Sequence, residues 1–522
     1  MNEKLWKTII SFKNYKILGY RFLIYPNEQE TIKKAGLPLI LIYKDNSFKI
    51  EAGVVRSAPL FYKIEKDTVY VSDDVNKLIR NEVEYDLLSF MEFLSLGYVL
   101  SNRTLLTNIY TLQAGEILEY RNGTLKIYDK FLYDTSSILH DVDKKTLLEA
   151  LWEIINSIFI NLRRGVNGKR IVVPLSSGID SRFIAAMLKL NGFEDVLCIN
   201  YGIKGNYETS VSKKVADKLG YEWLFIEYSP QRLVQLFKSE NFVDYIKMVH
   251  NFHTTPNIQE FLSTLFIKEE YGDEDFLFIP GHTGDFISGG HITKQVLAAS
   301  NIKSVADAIL KRHYELRYWP PPKKLEEDLI KYLKCVLQKV GPLASYQLYE
   351  IFDWRERQSK YIINTSKAYE FFGFQWHTPL WDKRFVDFWS SIPLRFKYNK
   401  KLYKDFLAEY IFGPLGIDFE KNKERAYVIP NVIRHFIGNF LGKIGLIKKP
   451  NPCGFDRTLS YLAQQSKNCY ARSVSHLHHI KKHLGIRGHK FAVSYVTDFA
   501  ATVALNTLDS NIFAKSRILQ DR

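Results

Sequence analysis

Apolar and polar positions along the first 130 residues follow a pattern of short runs separated by turns. Apolar runs lie at 37–43, 67–72 and 116–128, and turn-forming residues such as Asp-Asn-Ser and Asn-Gly lie between or within them. Runs of this kind are typical of β-strands, and the last one predicts a hairpin. A helix interrupts the pattern, with Asp86 as its N-cap and Gly97 at its end. The sequence therefore predicts a β-rich first part.

The period of the apolar positions changes near residue 145. Residues 144–164 carry apolar side chains at helical spacing, and strands then alternate with helices. The predicted strands are 170–175, 195–200, 222–228 and 275–280, and the predicted helices include one from about Asp180 and one over 207–219. Such alternation favours a parallel sheet covered by helices, and the pattern after about residue 300 is mostly helical. The fold class is therefore α/β, with helical additions after the sheet.

These changes predict three domains, over residues 1–140, 145–415 and 416–522. The chain has 522 residues, 46% of them hydrophobic, which is enough for several globular cores. Its net charge of +15 is compatible with nucleic acid, an anionic membrane surface or anionic substrates, and the last domain is predicted to be basic and mainly helical.

The cysteines and the hydropathy indicate the compartment. The four cysteines are far apart and form no CxxC pair, so neither a zinc site nor a disulfide framework is indicated. No signal peptide and no uninterrupted run of 18 apolar residues is present. We expect a cytoplasmic protein without a membrane span.

The strand at 170–175 runs directly into a serine-rich loop and then into a helix. The loop reads Ser176-Ser177-Gly178-Ile179-Asp180-Ser181. Small residues and hydroxyls at a helix N-terminus favour an anion such as phosphate. The spacing does not match GxxxxGK[ST] and the loop has no lysine, which argues against a Walker-type triphosphatase. An aspartate in an anion loop suggests a bridging cation, so Asp180 is a candidate magnesium ligand.

A second glycine-rich loop follows the strand at 275–280. It reads Gly281-His282-Thr283-Gly284-Asp285-Phe286-Ile287-Ser288-Gly289-Gly290. Open parallel sheets bind ligands at the carboxyl ends of their strands, where both loops are predicted to lie.

These loops resemble known motifs. The first is similar to the pyrophosphate loop SGGxDS of the ATP pyrophosphatase superfamily, and the second to the SGEGSDELFGG loop of asparagine synthetases and β-lactam synthetases. The resemblance implies a sheet of the adenine-nucleotide α-hydrolase type and the cofactors ATP and Mg²⁺. It also implies site residues: Ser176, Ser177, Gly178, Asp180, Ser181 and Gly284 for ATP and pyrophosphate, Asp180 and Asp285 for Mg²⁺, and Tyr201 and Gly202 as neighbours of the adenine. His282 and Phe286 stand where the family usually has acids.

A third stretch extends the resemblance through Arg355-Glu356-Arg357-Gln358 to residue 410. The family pattern aligns Lys404 with the lysine that stabilises negative charge during adenylation. Glu356 is a candidate base for the incoming amine, although a structural role paired with an arginine is the stronger interpretation. Each of these roles is carried over from the family.

The first domain is similar in block order to class II glutamine amidotransferases of the Ntn type. The matching blocks are Ala58–Tyr62, 69–78 and 97–120. A working domain of this kind uses an N-terminal cysteine as nucleophile, but residue 2 is Asn and no cysteine precedes Cys198. The resemblance therefore implies a degenerate amidotransferase-like domain.

Together these features predict an asparagine synthase-like, ATP-dependent C–N ligase without its own glutaminase. A carboxylate acceptor would be adenylated, and ammonia or an amine, with a separate glutaminase as one supplier, would then displace AMP. The acceptor is left open among aspartate, sugar acids and secondary metabolites. A non-catalytic scaffold or regulator and, less favoured, a tRNA-modifying adenylating enzyme are the alternatives. Histidines at 476–489 are interpreted as a solvated basic helix rather than a metal site.

Overall fold

The computed structural model describes most of the chain up to residue 419. Described are residues 47–419 except 67, 80–83, 122, 130–137, 167, 203–206, 230–231, 233–234, 237–238, 315 and 317–320, together with 500–501 and the backbone of 6–7, 10–12, 15–17, 20–21 and 39–42. The predicted C-terminal domain 416–522, including its histidines, lies almost entirely outside the described residues.

The first part of the chain is built from short strands, as predicted. The strands are β1 Trp6–Lys7, β2 Ile10–Phe12, β3 Tyr15–Ile17, β4 Tyr20–Arg21, β5 Leu39–Ile42, β6 Phe48–Glu51, β7 Phe61–Glu65, β8 Thr68–Ser72, β9 Tyr110–Thr111, β10 Glu116–Arg121 and β11 Thr124–Asp129. One sheet has the order β11-β10-β6-β5 and the other β2-β3-β8-β7-β9, with β1 and β4 forming a separate pair. The predicted hairpin is confirmed, because β10 pairs with β11 in antiparallel register from Glu116↔Asp129 to Arg121↔Thr124.

We call this first part of the chain, strands β1–β11 and the described residues between them, the β-rich unit. Its two larger sheets pack against each other. Phe48, Ile50 and Leu118 of one sheet and Val69 and Val71 of the other belong to the same buried cluster. The predicted helix is also present: Asp86 accepts a hydrogen bond from the backbone N–H of Leu88, and Gly97 ends the helix with φ of 89°. The local signals were sufficient here because caps and alternating strands are encoded by neighbouring residues.

The second part contains the predicted parallel sheet. Its strands are β12 Arg170–Pro174, β13 Val196–Gly202, β14 Glu222–Glu227, β15 Phe276–Phe278 and β16 Gln375–Trp376, in the order β14-β13-β12-β15-β16. All neighbouring strands of this sheet are parallel, so their carboxyl ends lie at one edge. The central strand β12 is buried at Ile171, Val172 and Val173. Continuous apolar strands of this kind belong to sheets that are covered on both faces.

Helices surround the sheet and form most of the described residues after residue 300, which confirms the α/β prediction. They are α1 Leu87–Leu96, α2 Lys144–Gly165, α3 Ile179–Leu190, α4 Tyr207–Leu219, α5 Glu240–His250, α6 Phe261–Tyr271, α7 Gly284–Ile287, α8 Lys294–Ala298, α9 Ile302–His313, α10 Lys323–Val340, α11 Ser345–Phe352, α12 Lys367–Phe371, α13 Lys383–Ser391, α14 Leu394–Lys397, α15 Lys401–Phe406 and α16 Gly413–Leu415. Two π-helical segments, Asp353–Ile362 and Leu407–Phe412, continue α11 and α15. Within the described part of the chain, no helix is both long and apolar enough to cross a bilayer.

Candidate active site

The loop after strand β12 is held in shape by its own serines. Ser181 Oγ accepts a hydrogen bond from the backbone N–H of Ser176 at 3.1 Å, and Ser176 Oγ accepts one from the N–H of Gly178 at 3.0 Å. Gly178 is the N-cap residue of α3. Because the first turn of a helix has free N–H groups and a partial positive charge, this loop is suited to an anion.

The two sequence motifs meet at the carboxyl edge of the sheet. A Cβ atom on Gly281 would lie 2.5 Å from the backbone N of Ser181, and one on Gly284 would lie 2.2 Å from Asp180 Oδ1. Neither distance leaves room for a side chain, so the contact between the loops depends on both glycines. The structure thus brings the loop 281–290 directly against the start of α3.

Asp180 is enclosed where the loops meet. Its Oδ1 accepts a hydrogen bond from Tyr403 Oη at 2.8 Å, and its carboxylate also accepts one from the backbone N–H of Asp285. Burial and the negative charge of Asp285 raise the pKa of Asp180 to about 6, against the opposing effect of Lys400. Two carboxylates that repel each other are both stabilised when a cation lies between them.

Asp285 is held on its other side by a buried histidine. His291 Nε2 lies 3.1 Å from Asp285 Oδ2, and His291 Nδ1 lies 2.5 Å from Asp353 Oδ2. Burial acts to lower the pKa of His291, but Asp353 and Asp285 outweigh it and raise this pKa to about 9. Burial likewise acts to raise the pKa of Asp285, yet His291 lowers it to about 2. The three side chains therefore form an imidazolium between two carboxylates at neutral pH. Sequence reasoning missed His291, although it directly follows Gly289-Gly290.

This arrangement predicts a pH dependence of stability. A histidine with a folded-state pKa raised from 6.5 to about 9 stabilises the fold fully below pH 6.5 and loses this contribution as the pH rises through 9. We expect the free energy of unfolding, measured with urea in the absence of Mg²⁺, to fall by up to about 3 kcal/mol between pH 6.5 and 9.5. The fall should vanish in His291→Gln and persist in His140→Gln, which changes an exposed histidine. Because the buried Lys360, with a pKa lowered to about 8, acts in the opposite direction, the comparison is with the variant, and profiles that coincide in wild type and His291→Gln would contradict the imidazolium.

The lysine that faces the two aspartates is Lys400, which the sequence did not single out. Its charge acts to lower the pKa of both Asp180 and Asp285. Its side chain passes Gly290, where a Cβ would lie 3.0 Å from Lys400 Cδ. Asn399 and Lys400 have φ of 56° and 61°, a region that residues with side chains rarely adopt. This left-handed turn sets the direction in which Lys400 leaves the backbone.

The predicted lysine, Lys404, is placed differently. It is exposed on α15 and lines a surface cavity of about 600 Å³ together with Arg395, Lys401 and Asp405. From the same helix it is Tyr403 that contacts Asp180. Lys400 and Lys404 lie one helical turn apart in sequence, and of the two it is Lys400 whose charge acts on both aspartates.

Ser177 in the first loop and Arg182, which directly follows the loop, are packed together. Arg182 is buried and donates to the carbonyl oxygens of Ser177 at 2.9 Å and Ile417 at 3.1 Å. Ser177 Oγ lies 3.4 Å from Glu208 Oε1, at the start of α4. The Cβ of Ser177 is therefore compatible with the loop, and Arg182 ties the loop to the end of the described helices.

Tyr201 and Gly202 end strand β13 at the same edge of the sheet. The ring of Tyr201 stacks on Tyr228 with 5.2 Å between ring centroids, and its hydroxyl donates to Glu260 Oε1 at 2.5 Å. Burial raises the pKa of Glu260 to about 7. The position of Tyr201 and Gly202 as adenine neighbours stays a prediction, with one face of the Tyr201 ring engaged by Tyr228.

Glu356 lies in a different environment from the one expected for a base. Its carboxylate is fully buried and accepts hydrogen bonds from Gln113 Nε2 at 2.8 Å and Lys360 Nζ at 2.6 Å. A carboxylate enclosed in this way is not accessible to an incoming amine. The structure favours the alternative of a paired structural role, with Lys360 rather than an arginine as the partner.

Of the residues at the family's acidic positions, Phe286 is buried and His282 is half-buried. Phe286 packs against Trp381, with 6.1 Å between ring centroids. Burial lowers the pKa of His282 to about 4, so this imidazole is neutral at physiological pH. Its Nε2 has no hydrogen-bond partner among the residues that the structure describes. The loop therefore presents one polar group, His282, where the family has a charged one.

The structure thus shows an α/β domain in which a serine-rich loop at a helix N-terminus and two aspartates meet at the carboxyl edge of a parallel sheet, where open sheets of this kind bind their ligands. Comparison with protein families agrees, because residues 163–411 match the family model for asparagine synthase. This segment is therefore similar to the asparagine synthase family, and the similarity supports an ATP-dependent amide-forming ligase in general. The comparison with curated proteins gave no match.

Proposed function

We propose that the protein adenylates a substrate carboxylate with ATP and then forms an amide, as an asparagine synthase-like ligase with a sheet of the ATP pyrophosphatase type. The observation that carries this proposal is the contact between the two loops. It places Asp180 and Asp285 together, with Lys400 facing both, beside the free N-terminus of α3. Two carboxylates and a lysine around an anion loop suit a nucleoside triphosphate and a divalent cation.

The donor set fits Mg²⁺. Asp180 and Asp285 would hold the ion, and the described residues contain no cluster of three or more His, Cys, Asp and Glu side chains that would form an all-protein site. Mg²⁺ is commonly bound by one or two carboxylates together with substrate phosphates, which is the arrangement these two residues allow. When bound, the ion would neutralise charge on the departing pyrophosphate.

The chain's own groups would divide the work around the nucleotide. Ser176, Ser177, Gly178 and Ser181 would hold the β- and γ-phosphates at the start of α3. Gly284 would allow the second loop to close on them, and Tyr201 and Gly202 would border the adenine. Lys400, rather than Lys404, would stabilise the charge that develops on the α-phosphate.

The reaction has two steps. A carboxylate oxygen of the acceptor attacks the α-phosphorus, the bond to the bridging oxygen breaks, and pyrophosphate leaves with the electron pair. A nitrogen nucleophile then attacks the acyl carbon, AMP leaves, and the proton from nitrogen passes to solvent. Holding the reactants side by side at the loops supplies much of the acceleration.

The β-rich unit would not supply the nitrogen in this proposal. The first cysteine of the given sequence is Cys198, which lies in strand β13, so the β-rich unit contains no thiol for glutamine hydrolysis. We infer a degenerate amidotransferase-like domain, with ammonia, an amine or a separate glutaminase as the nitrogen source. The acceptor would be a carboxylic acid such as an amino acid or a uronic acid.

The direct test is ATP–[³²P]pyrophosphate exchange by the purified protein with Mg²⁺. Aspartate, other amino acids and uronic acids would be tested one by one. Exchange that depends on one acid would support adenylation and identify the acceptor. If none of the acids supported exchange and calorimetry detected no ATP binding, the proposal would be overturned in favour of a non-catalytic scaffold.

The choice between the two lysines gives a matched pair of variants. We expect Lys400→Met to lower the exchange rate by about 10–100-fold, because it removes the cation that faces both aspartates. Lys404→Met, which changes an exposed lysine on the next helical turn, should lower it by less than about threefold. If Lys404→Met had the larger effect, Lys404 rather than Lys400 would be the lysine that stabilises the charge on the α-phosphate.

A further inference from the structure

The π-helical segment Asp353–Ile362 connects the β-rich unit to the candidate active site. It continues α11 without a break, and most of its side chains are buried. π-Helical turns are rare and frequently occur at functional sites. Its two faces have different partners.

One face is bound to the β-rich unit by polar groups. Glu356 accepts hydrogen bonds from Gln113 Nε2 at 2.8 Å and from the backbone N–H of Ser101 at 3.2 Å. Lys360 donates to the carbonyl oxygens of Val99 at 2.7 Å and Ser101 at 2.6 Å. Glu356 and Lys360 also pair with each other at 2.6 Å and are fully buried.

Three further residues of the segment also contact the β-rich unit. Trp354 Nε1 donates to the carbonyl oxygen of Val54 at 2.7 Å, and Arg355 pairs with Asp129 at 2.8 Å. Ser359 accepts a hydrogen bond on its carbonyl oxygen from the buried Arg56 at 3.3 Å. Buried polar groups with several partners of this kind hold one geometry, because a shift would leave a donor or acceptor unpaired.

The other face holds the second loop of the candidate active site. Asp353 lies 2.5 Å from His291, which in turn lies 3.1 Å from Asp285. Gln358 donates to Asp353 at 3.1 Å and accepts from Thr283 Oγ1 at 3.4 Å. Thr283 has φ of 87°, an uncommon conformation for a β-branched residue, and such conformations persist only where the surroundings impose them.

The π-helical geometry separates the residues that contact the β-rich unit from those that contact the second loop. Hydrogen bonds to the fifth residue give about 4–5 residues per turn, so Asp353 and Gln358 share a face while Glu356 and Lys360 lie on the opposite one. In an α-helix, with about 3.6 residues per turn, residues 353, 356 and 360 would lie on the same side. Only the wider helix can contact the β-rich unit and the loop at once.

We propose that the segment 353–362 positions Asp285, and that Gln113 of the β-rich unit is a positioning residue that acts on the site through Glu356, Asp353 and His291. The side-chain contacts of this path, Gln113 to Glu356, Asp353 to His291 and His291 to Asp285, are 2.5 to 3.1 Å long. Between Glu356 and Asp353 the path runs through the backbone of the π-helical segment. The β-rich unit then has a role that requires no glutamine chemistry. The catalytic part of this inference rests on the proposed function, whereas the positioning of the loop does not.

The test compares Gln113→Ala with Ile50→Val by hydrogen–deuterium exchange of the free protein. Gln113→Ala removes the donor to Glu356, whereas Ile50→Val weakens the core between the two sheets of the same unit without touching the segment. With Gln113→Ala we expect faster exchange of the backbone amides in 284–291, by about tenfold. Ile50→Val should leave these amides unchanged while lowering the unfolding temperature of the protein.

Kinetics provide the second readout. In Gln113→Ala we expect a roughly tenfold lower kcat for ATP–pyrophosphate exchange and a higher Mg²⁺ concentration at half-saturation, with the KM for ATP within about twofold. The inference would be overturned if kcat, the Mg²⁺ requirement and the KM for ATP all changed by the same factor. It would also be overturned if Ile50→Val gave the same kinetic loss at an equal loss of stability, because the β-rich unit would then only stabilise the fold.

Amide exchange tests the positioning role, and pyrophosphate exchange tests the proposed function. Unchanged amide exchange in 284–291 overturns the positioning role whatever the activity. Absence of pyrophosphate exchange in the wild type contradicts the proposed function, while the amide exchange still decides this inference. Should Gln113→Ala fail to fold, Asp129→Asn weakens the ion pair to Arg355 at the edge of the same face and is expected to give a smaller change in the same amides.

Discussion

Asp180→Asn is expected to lower the rate of ATP–pyrophosphate exchange by about 10²–10³-fold while making the free protein more stable. The loss of activity follows because the carboxylate is half of the proposed cation site. The gain in stability follows from the repulsion between Asp180 and Asp285 and from burial, which raise the pKa of Asp180 to about 6. An ionised group in such a place opposes folding, and the amide removes the charge with almost no change of shape.

The sign of the pH dependence follows from the same pKa. The folded state of the wild type holds the Asp180 proton more tightly than the unfolded state, so this group costs stability as the pH rises from about 4 to 6. We expect a cost of about 1–3 kcal/mol after allowance for partial solvent exposure, and Asp180→Asn should lack it.

Asp143→Asn is the matched control for this variant, because Asp143 is the exposed N-cap of α2 and asparagine caps helices equally well. It should leave both exchange and stability unchanged. Wild-type exchange in Asp180→Asn would remove Asp180 from the cation site, and a loss of stability would contradict the repulsion between the two carboxylates.

Gly284→Ala is expected to abolish measurable exchange and to destabilise the fold by about 1–3 kcal/mol or more. The added methyl group would lie 2.2 Å from Asp180 Oδ1 and 2.8 Å from Tyr403 Oη, so the two loops would have to separate. The activity would be measured by pyrophosphate exchange and the stability by urea unfolding of the same preparation.

Gly165→Ala provides the control, because a Cβ at Gly165, the last residue of α2, would meet nothing within 4 Å. It should retain full exchange and gain up to about 1 kcal/mol of stability from the helix preference of alanine. If Gly284→Ala exchanged pyrophosphate at the rate of Gly165→Ala, the contact between the loops would not matter for the reaction.

Much of the architecture could be predicted from the chain alone. Strand β12, helices α2 and α4, and the caps at Asp86 and Gly97 were predicted to within a few residues. Their signals are local, since apolar period and cap residues act within one or two turns. The two loops were also recognisable, because small residues at a strand end are needed for an anion to approach the backbone.

The roles of single charged residues were harder to predict. Lys404 matches the family pattern, yet Lys400 faces the aspartates because Asn399 and Lys400 adopt positive φ. Glu356 has the chemistry of a base, but its carboxylate is buried against Gln113 and Lys360. A carboxylate or an amine has the same appearance in sequence whether it faces a ligand or a buried partner.

The sequence by itself determined the α/β class, the alternating strands and helices, and the two loops that carry Asp180 and Asp285. These depend on the periodicity of apolar residues and on the conformational needs of glycine and serine, which neighbouring residues express. Only the tertiary structure decided that His291 and Asp353 hold Asp285, that the charge of Lys400 acts on both aspartates, and that the π-helical segment contacts Gln113. Such pairings bring together residues far apart in the chain, and their energies depend on burial and distance, which no local pattern encodes.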